Sequence, residues 1–142
     1  MEEMTNTFRQ LHIALVPNLD CKALLPLDVY LVNPTADRLE IKRMQGSFQE
    51  DFNLGTKVTG RFFLPANSFH LIDTMCDSGE LDFTTWYRFV VKREGKLEAT
   101  ELMGEFSGWS LYSQKPELLS LLNKPGILKE LRPLTQSPSV LL

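Results

Sequence analysis

The sequence predicts a mainly β fold: an antiparallel, immunoglobulin-like β-sandwich of about seven strands with a short C-terminal helical segment. Three observations lead there. Apolar and polar side chains alternate in several short runs, the period of a half-buried strand. Turn-forming residues recur at a spacing of roughly 8 to 12 positions, as in sandwiches. Of the 142 residues, 43% are apolar, with nine Phe, two Trp and three Tyr, enough for one core and too many for a disordered chain.

Residues 1–7 are polar and expected to be flexible. The β-sandwich domain is expected over 8–112. In FRQLHIALVP, Leu11, Ile13 and Leu15 lie on one face and Gln10, His12 and Ala14 on the other, until Pro17 removes a ladder donor. DVYLVNPTADRLEIKR reads as a hairpin. Val29 and Leu31 share a face in its first strand, and Leu39 and Ile41 share one in its second, with Glu40 and Lys42 outward. Between them Asn33 and Asp37 can bond nearby backbone groups, and Pro34 presets a turn dihedral. GSFQEDFNLGTK reads as a loop or short strand. KVTGRFFLP places Val58, Gly60, Phe62 and Leu64 on one face, and SFHLID is a short strand or a turn into one. In LDFTTWYRFVVK, odd positions from Leu81 to Val91 face the core, and Trp86, Arg88 and Lys92 face away. REGK turns at Gly95, LEATELMGEF returns antiparallel, and GWSLYS adds a further strand.

After Ser113 the pattern changes. Pro116 and Glu117 suit a first helical turn, Leu118, Leu119, Leu121 and Leu122 form a stripe, and Asn123, Pro125 and Gly126 end it. A helical segment is therefore expected over 113–132, with ILKELRP as its second turn, and a tail over 133–142.

Composition excludes several functions. The net charge is −3, which argues against nucleic acid as partner, because phosphate-binding domains carry a basic stripe. MEEMTNTFRQ lacks the basic start and apolar stretch of a secretory signal. No window approaches the ~20 apolar residues that span a bilayer. A cytoplasmic location without membrane contact is expected, and Cys21 and Cys76 read as small core residues.

No reaction assembles from the reactive side chains. His12 and His70 are single strand histidines. They form no paired zinc spacing with the cysteines. GEFSGWS is not a nucleophile elbow, and neither phosphate-binding glycine motif occurs. We expect no catalytic residue, no metal and no cofactor.

Two kinds of binding site remain. Trp86 and Arg88 share an outward face, as do Phe63 and Arg61, and such patches mark protein partners. Leu118, Leu121 and Leu122 either cap the sandwich or dock into another subunit. A non-enzymatic interaction domain that binds a protein partner or forms a homo-oligomer is the first expectation. The alternative is a small-ligand or carbohydrate-binding sandwich using Asp73, Asp77, Glu80 and Asp82 of DTMCDSGELD, which matches no calcium-loop spacing.

The strand ending at Val16 and Pro17, and Leu31, Val32 and Asn33 ahead of a turn, carry a resemblance, as do LPANSFHLI, the acidic connection and WYRFVVKREGK after them. Together they resemble the uncharacterised β-sandwich domain that precedes the Smr (small MutS-related) module in some bacterial proteins. The likeness covers residues 8–105 or so; no Smr module follows, and the Leu-rich tail has no counterpart. The resemblance implies an accessory domain and carries over no catalytic residue.

Overall fold

Alternation becomes two layers. The computed structural model describes residues 10–17, 27–49, 52–75, 84–107 and 115–133. Strand β1 (His12–Pro17) pairs antiparallel with β2 (Leu27–Asn33), so that Leu15 faces Val29 and Ile13 faces Leu31. The chain then crosses to a second sheet. There β3 (Leu39–Gln49) pairs on one side with β4 (Phe52–Leu64) and on the other with β6 (Thr84–Arg93). Strand β5 (Ser68–Met75) returns to pair with β2, and β7 (Ala99–Ser107) pairs with β6.

The leucine-rich segment is not a helix. Residues Glu117–Leu119 form β8 and Lys124–Glu130 form β9, a hairpin whose second strand lies along β1; Arg132–Pro133 is β10, paired with β7. Pairing overrides the helical stripe because β1 has a free ladder side and a helix leaves it empty. What reads as a helix stop is the hairpin turn: Asn123 takes φ 54° and its N–H donates to Leu119 O at 2.7 Å, one helical turn that goes no further. ILKELRP alternates as a strand does, with Leu128 and Glu130 exposed and Leu131 buried. The described residues hold ten strands, three of them from the segment expected to be helical. The GSFQEDFNLGTK region extends β3 and β4, since β6 pairs with β3 as far as Phe48. GWSLYS, both cysteines and both termini lie outside the described residues.

The strand orders are β5-β2-β1-β9-β8 and β10-β7-β6-β3-β4. The inner faces share one core: Ile13, Leu15, Val29, Leu31 and Ile72 from the first sheet, and Leu39, Ile41, Leu64, Tyr87, Phe89, Val91 and Leu102 from the second. Gly104 leaves room for the facing layer, since a Cβ there would lie 2.8 Å from Leu131 Cδ2 and 2.9 Å from Ile13 Cδ1. At the outer edges, the chain crosses between sheets from β4 to β5 and from β9 to β10, with Leu131 buried at the second crossing. Among the described residues no helix is long and apolar enough to cross a membrane.

Asn33 holds one end together. It takes the next inward position after Leu27, Val29 and Leu31 and is fully buried. Its Oδ1 accepts from Thr35 N at 3.0 Å and Thr35 Oγ1 at 2.6 Å, closing the β2–β3 turn on itself. Its Nδ2 donates to Asp37 O at 2.9 Å, Pro65 O at 3.0 Å and Leu64 O at 3.4 Å. Asn67 N donates to Thr35 O at 2.9 Å, and Glu94 N to Arg38 O at 3.0 Å. Two turns, from β2 to β3 and from β4 to β5, thus meet around one amide, and the β6–β7 turn joins the first of them through Arg38.

Asn33→Ala removes the acceptor of the Thr35 N–H and hydroxyl and the donor to three buried or part-buried carbonyls, at a cost of about 3 kcal/mol. Urea unfolding should show a lower midpoint with an unchanged slope.

Candidate functional site

Reactive side chains converge at a seam between the layers, beside β5. Arg43 follows Leu39 and Ile41 on the inner face of β3. Tyr87 lies on the inner face of β6 and is fully buried. Asp73 reaches them through a bulge. Tyr30 pairs with Leu71, but Val29 pairs with Asp73, so Ile72 is an extra residue on β5. A bulge re-aims side chains, and here it turns Asp73 inward beside Ile72. Asp73 Oδ2 accepts from Tyr87 Oη at 2.9 Å, and the carbonyl of Ile72 accepts from Arg43 Nη1. Burial lowers the Arg43 pKa, while the charges of Asp73 and Tyr87 act to raise it.

The opposite wall repeats the device. Arg43 pairs with Gly60 and Met44 with Val58, leaving Thr59 as an extra residue on β4; Gly60 takes φ 91°, the glycine conformation of such bulges. Next to it, Phe62 of β4 stacks on His70 of β5, with centroids 4.4 Å apart. His70 is held below its ordinary pKa, first by burial and then by the charge of Arg43.

The outer face of the first sheet is apolar across its middle, between His12 and Glu130 on one side and Asp28 on the other. Leu71, Tyr30, Ala14 and Leu128 stand abreast in the ladder across β5, β2, β1 and β9. Leu119, Leu122 and Leu121 of the terminal hairpin fold over Val16, Ala14 and Val32 and bury part of this face. The rest stays open: Phe69 is 44% exposed, Leu71 47% and Leu128 46%. Tyr30 meets Phe69 edge to face at 5.6 Å.

The expected site residues divide between opposite faces. Trp86 and Arg88 lie half-buried on the outer face of the second sheet, where Arg88 Nη2 pairs with Glu101 Oε1 at 2.6 Å. Arg61 and Phe63 share that face but sit two strands away, with β3 between. Leu118 is exposed, Leu121 half-buried and Leu122 buried, all on the far side of the molecule. Of the acidic set, Asp73 is in β5 with its carboxylate bonded to Tyr87; Asp77, Glu80 and Asp82 lie outside the described residues. Among the described residues no three His, Cys, Asp or Glu side chains gather as metal ligands do. Sequence reasoning missed Arg43 as an inward residue, although the parity of Leu39 and Ile41 points to it. It also missed the exposed pair Phe69 and Leu71, whose shared parity in SFHLID was the available signal.

No protein-family model matches the chain, and no curated protein matches it significantly.

His70 gives the seam a pH dependence. Its folded pKa lies below the ordinary imidazole value of about 6.5, so the unfolded chain binds the proton more readily. Stability is therefore undiminished above that value and falls as pH drops through the lowered folded pKa. The loss is small, because the ring is largely exposed. Urea unfolding at about pH 7.5 and about pH 5 should show a larger decrease in the wild type than in His70→Gln.

Proposed function

We propose that this protein is a non-enzymatic interaction domain that self-associates through the outer face of its first sheet. The observation that carries this is the exposed apolar pair Phe69 and Leu71 on β5, with half-buried Tyr30 of β2 beside them. Contiguous exposed apolar surface marks interaction sites. A cluster without charge is complementary to itself, and a two-fold axis through it brings the same patch of two copies together. Exposed Leu128 lies farther along the face, beyond Ala14, which the terminal hairpin covers. The terminal hairpin extends the face with exposed Leu118, which gives the leucine stripe both roles: Leu119 and Leu122 pack inward while Leu118 stays available.

This reading takes the two layers as an immunoglobulin-like sandwich, a reading supported by the shared core and the crossings at both edges. The resemblance to the domain ahead of Smr modules fits an accessory role of this kind. A small-ligand site built on Asp73 has less support, because Tyr87 already occupies its carboxylate.

Light scattering across a concentration series should give a dimer for the wild type. The Phe69→Ser/Leu71→Asp variant, altered only at exposed positions, should be a folded monomer. A wild-type chain that stays monomeric up to millimolar concentration would refute the proposal.

A further inference from the structure

We propose that the outer face of the second sheet holds a docking site for an acidic peptide segment of a partner protein, centred on Lys42 and Arg61. The site is separate from the self-association face and does not depend on it. Lys42 of β3 and Arg61 of β4 stand directly opposite one another in the ladder. Like charges in that arrangement destabilise a strand pair. No carboxylate among the described residues of the face pairs with them. Glu40 pairs with Lys92 at 2.9 Å, Glu101 with Arg88 at 2.6 Å and Glu105 with Arg132 at 3.8 Å. Each carboxylate is matched to another cation, and neither Lys42 nor Arg61 has an ion pair or hydrogen bond among the described residues. Among its described residues the face therefore carries two uncompensated positive charges, on a chain whose net charge is −3.

Shape agrees with charge. Glu40, Lys42, Arg61, Val90 and Lys92 line an open depression, with Val90 opposite Lys42 as an apolar floor. Phe63, 47% exposed, stands opposite Glu40 at the rim, with the Arg38 guanidinium 4.4 Å from its ring centre. Two cations beside an apolar floor and an aromatic rim suit a chain that alternates acidic and apolar side chains. Such a segment also gains apolar contact with Val90 and Phe63, which a free phosphate ion cannot make.

The test uses the full chain and a fluorescein-labelled octapeptide of alternating Glu and Leu, followed by fluorescence anisotropy. The expected result is saturable binding that weakens with salt and is absent for the Gln counterpart. Arg61→Gln should weaken it about tenfold, the loss expected of one charge-assisted contact. Lys42→Glu, which sets an opposite charge against Arg61, should abolish binding while its thermal midpoint stays at or above that of the wild type. Lys124→Glu, on the other sheet, should bind normally. Three results would overturn the proposal: no saturation at millimolar peptide, equal weakening by Lys124→Glu, or displacement by inorganic phosphate as effective as by unlabelled peptide.

Discussion

A buried asparagine decides how the two layers meet. Asn33 stands in line with Leu27, Val29 and Leu31, where a further apolar residue would add to the core. Its amide instead serves two turns that carry the chain in opposite directions between the sheets. Turns of this kind must satisfy their backbone groups once water is excluded, and one short side chain with two donors and an acceptor does so for both. Because Leu39 pairs with Leu64 just beyond these turns, the corner also fixes the start of the β3–β4 register. That register places Arg43 beside Gly60 and Lys42 opposite Arg61. The polar seam and the charged face both follow from it.

The two outer faces differ although the strands that build them look alike. On the second sheet, alternation puts charged side chains outward on β3, β6 and β7, and cross-strand ion pairs neutralise most of them. Exposed pairs of this sort add little stability, so their consequence is to isolate Lys42 and Arg61, which lack a match among the described residues. On the first sheet the outward positions of β1 and β2 include Ala14, Val16, Tyr30 and Val32, which water would penalise. The terminal hairpin covers some of them, and Gly126 lets it come close: a Cβ there would lie 2.7 Å from both Leu119 Cδ1 and the carbonyl of Leu15.

Much of this was legible from alternation alone. The inward set of β6, the outward positions of Trp86 and Arg88, and the turn at Gly95, which takes φ 82°, all follow from spacing and local chemistry. Asn33 was legible as a turn residue, though its reach to Pro65, 32 positions away, is a tertiary fact. The leucine hairpin was not legible, because a four-leucine stripe between prolines satisfies helical spacing, and only the open side of β1 favours a strand. The bulge at Ile72 was hidden for a related reason. An extra residue reverses the parity of everything after it, and no sequence signal marks where it falls. Asp73 consequently reads as a loop acid, when it is an inward partner of Tyr87.

If the Asn33 corner ties both layers into one cooperative unit, its amides should open only when the whole domain does. Native-state hydrogen exchange tests this directly at the N–H of Thr35 and of Asn67, which bond within the corner. Both should exchange with the same free energy as the core amides of Leu31 and Phe89, and with the same denaturant dependence. Rapid exchange at Thr35 and Asn67 while Leu31 and Phe89 stay protected would show that the layers hold together without the corner, and would contradict the account.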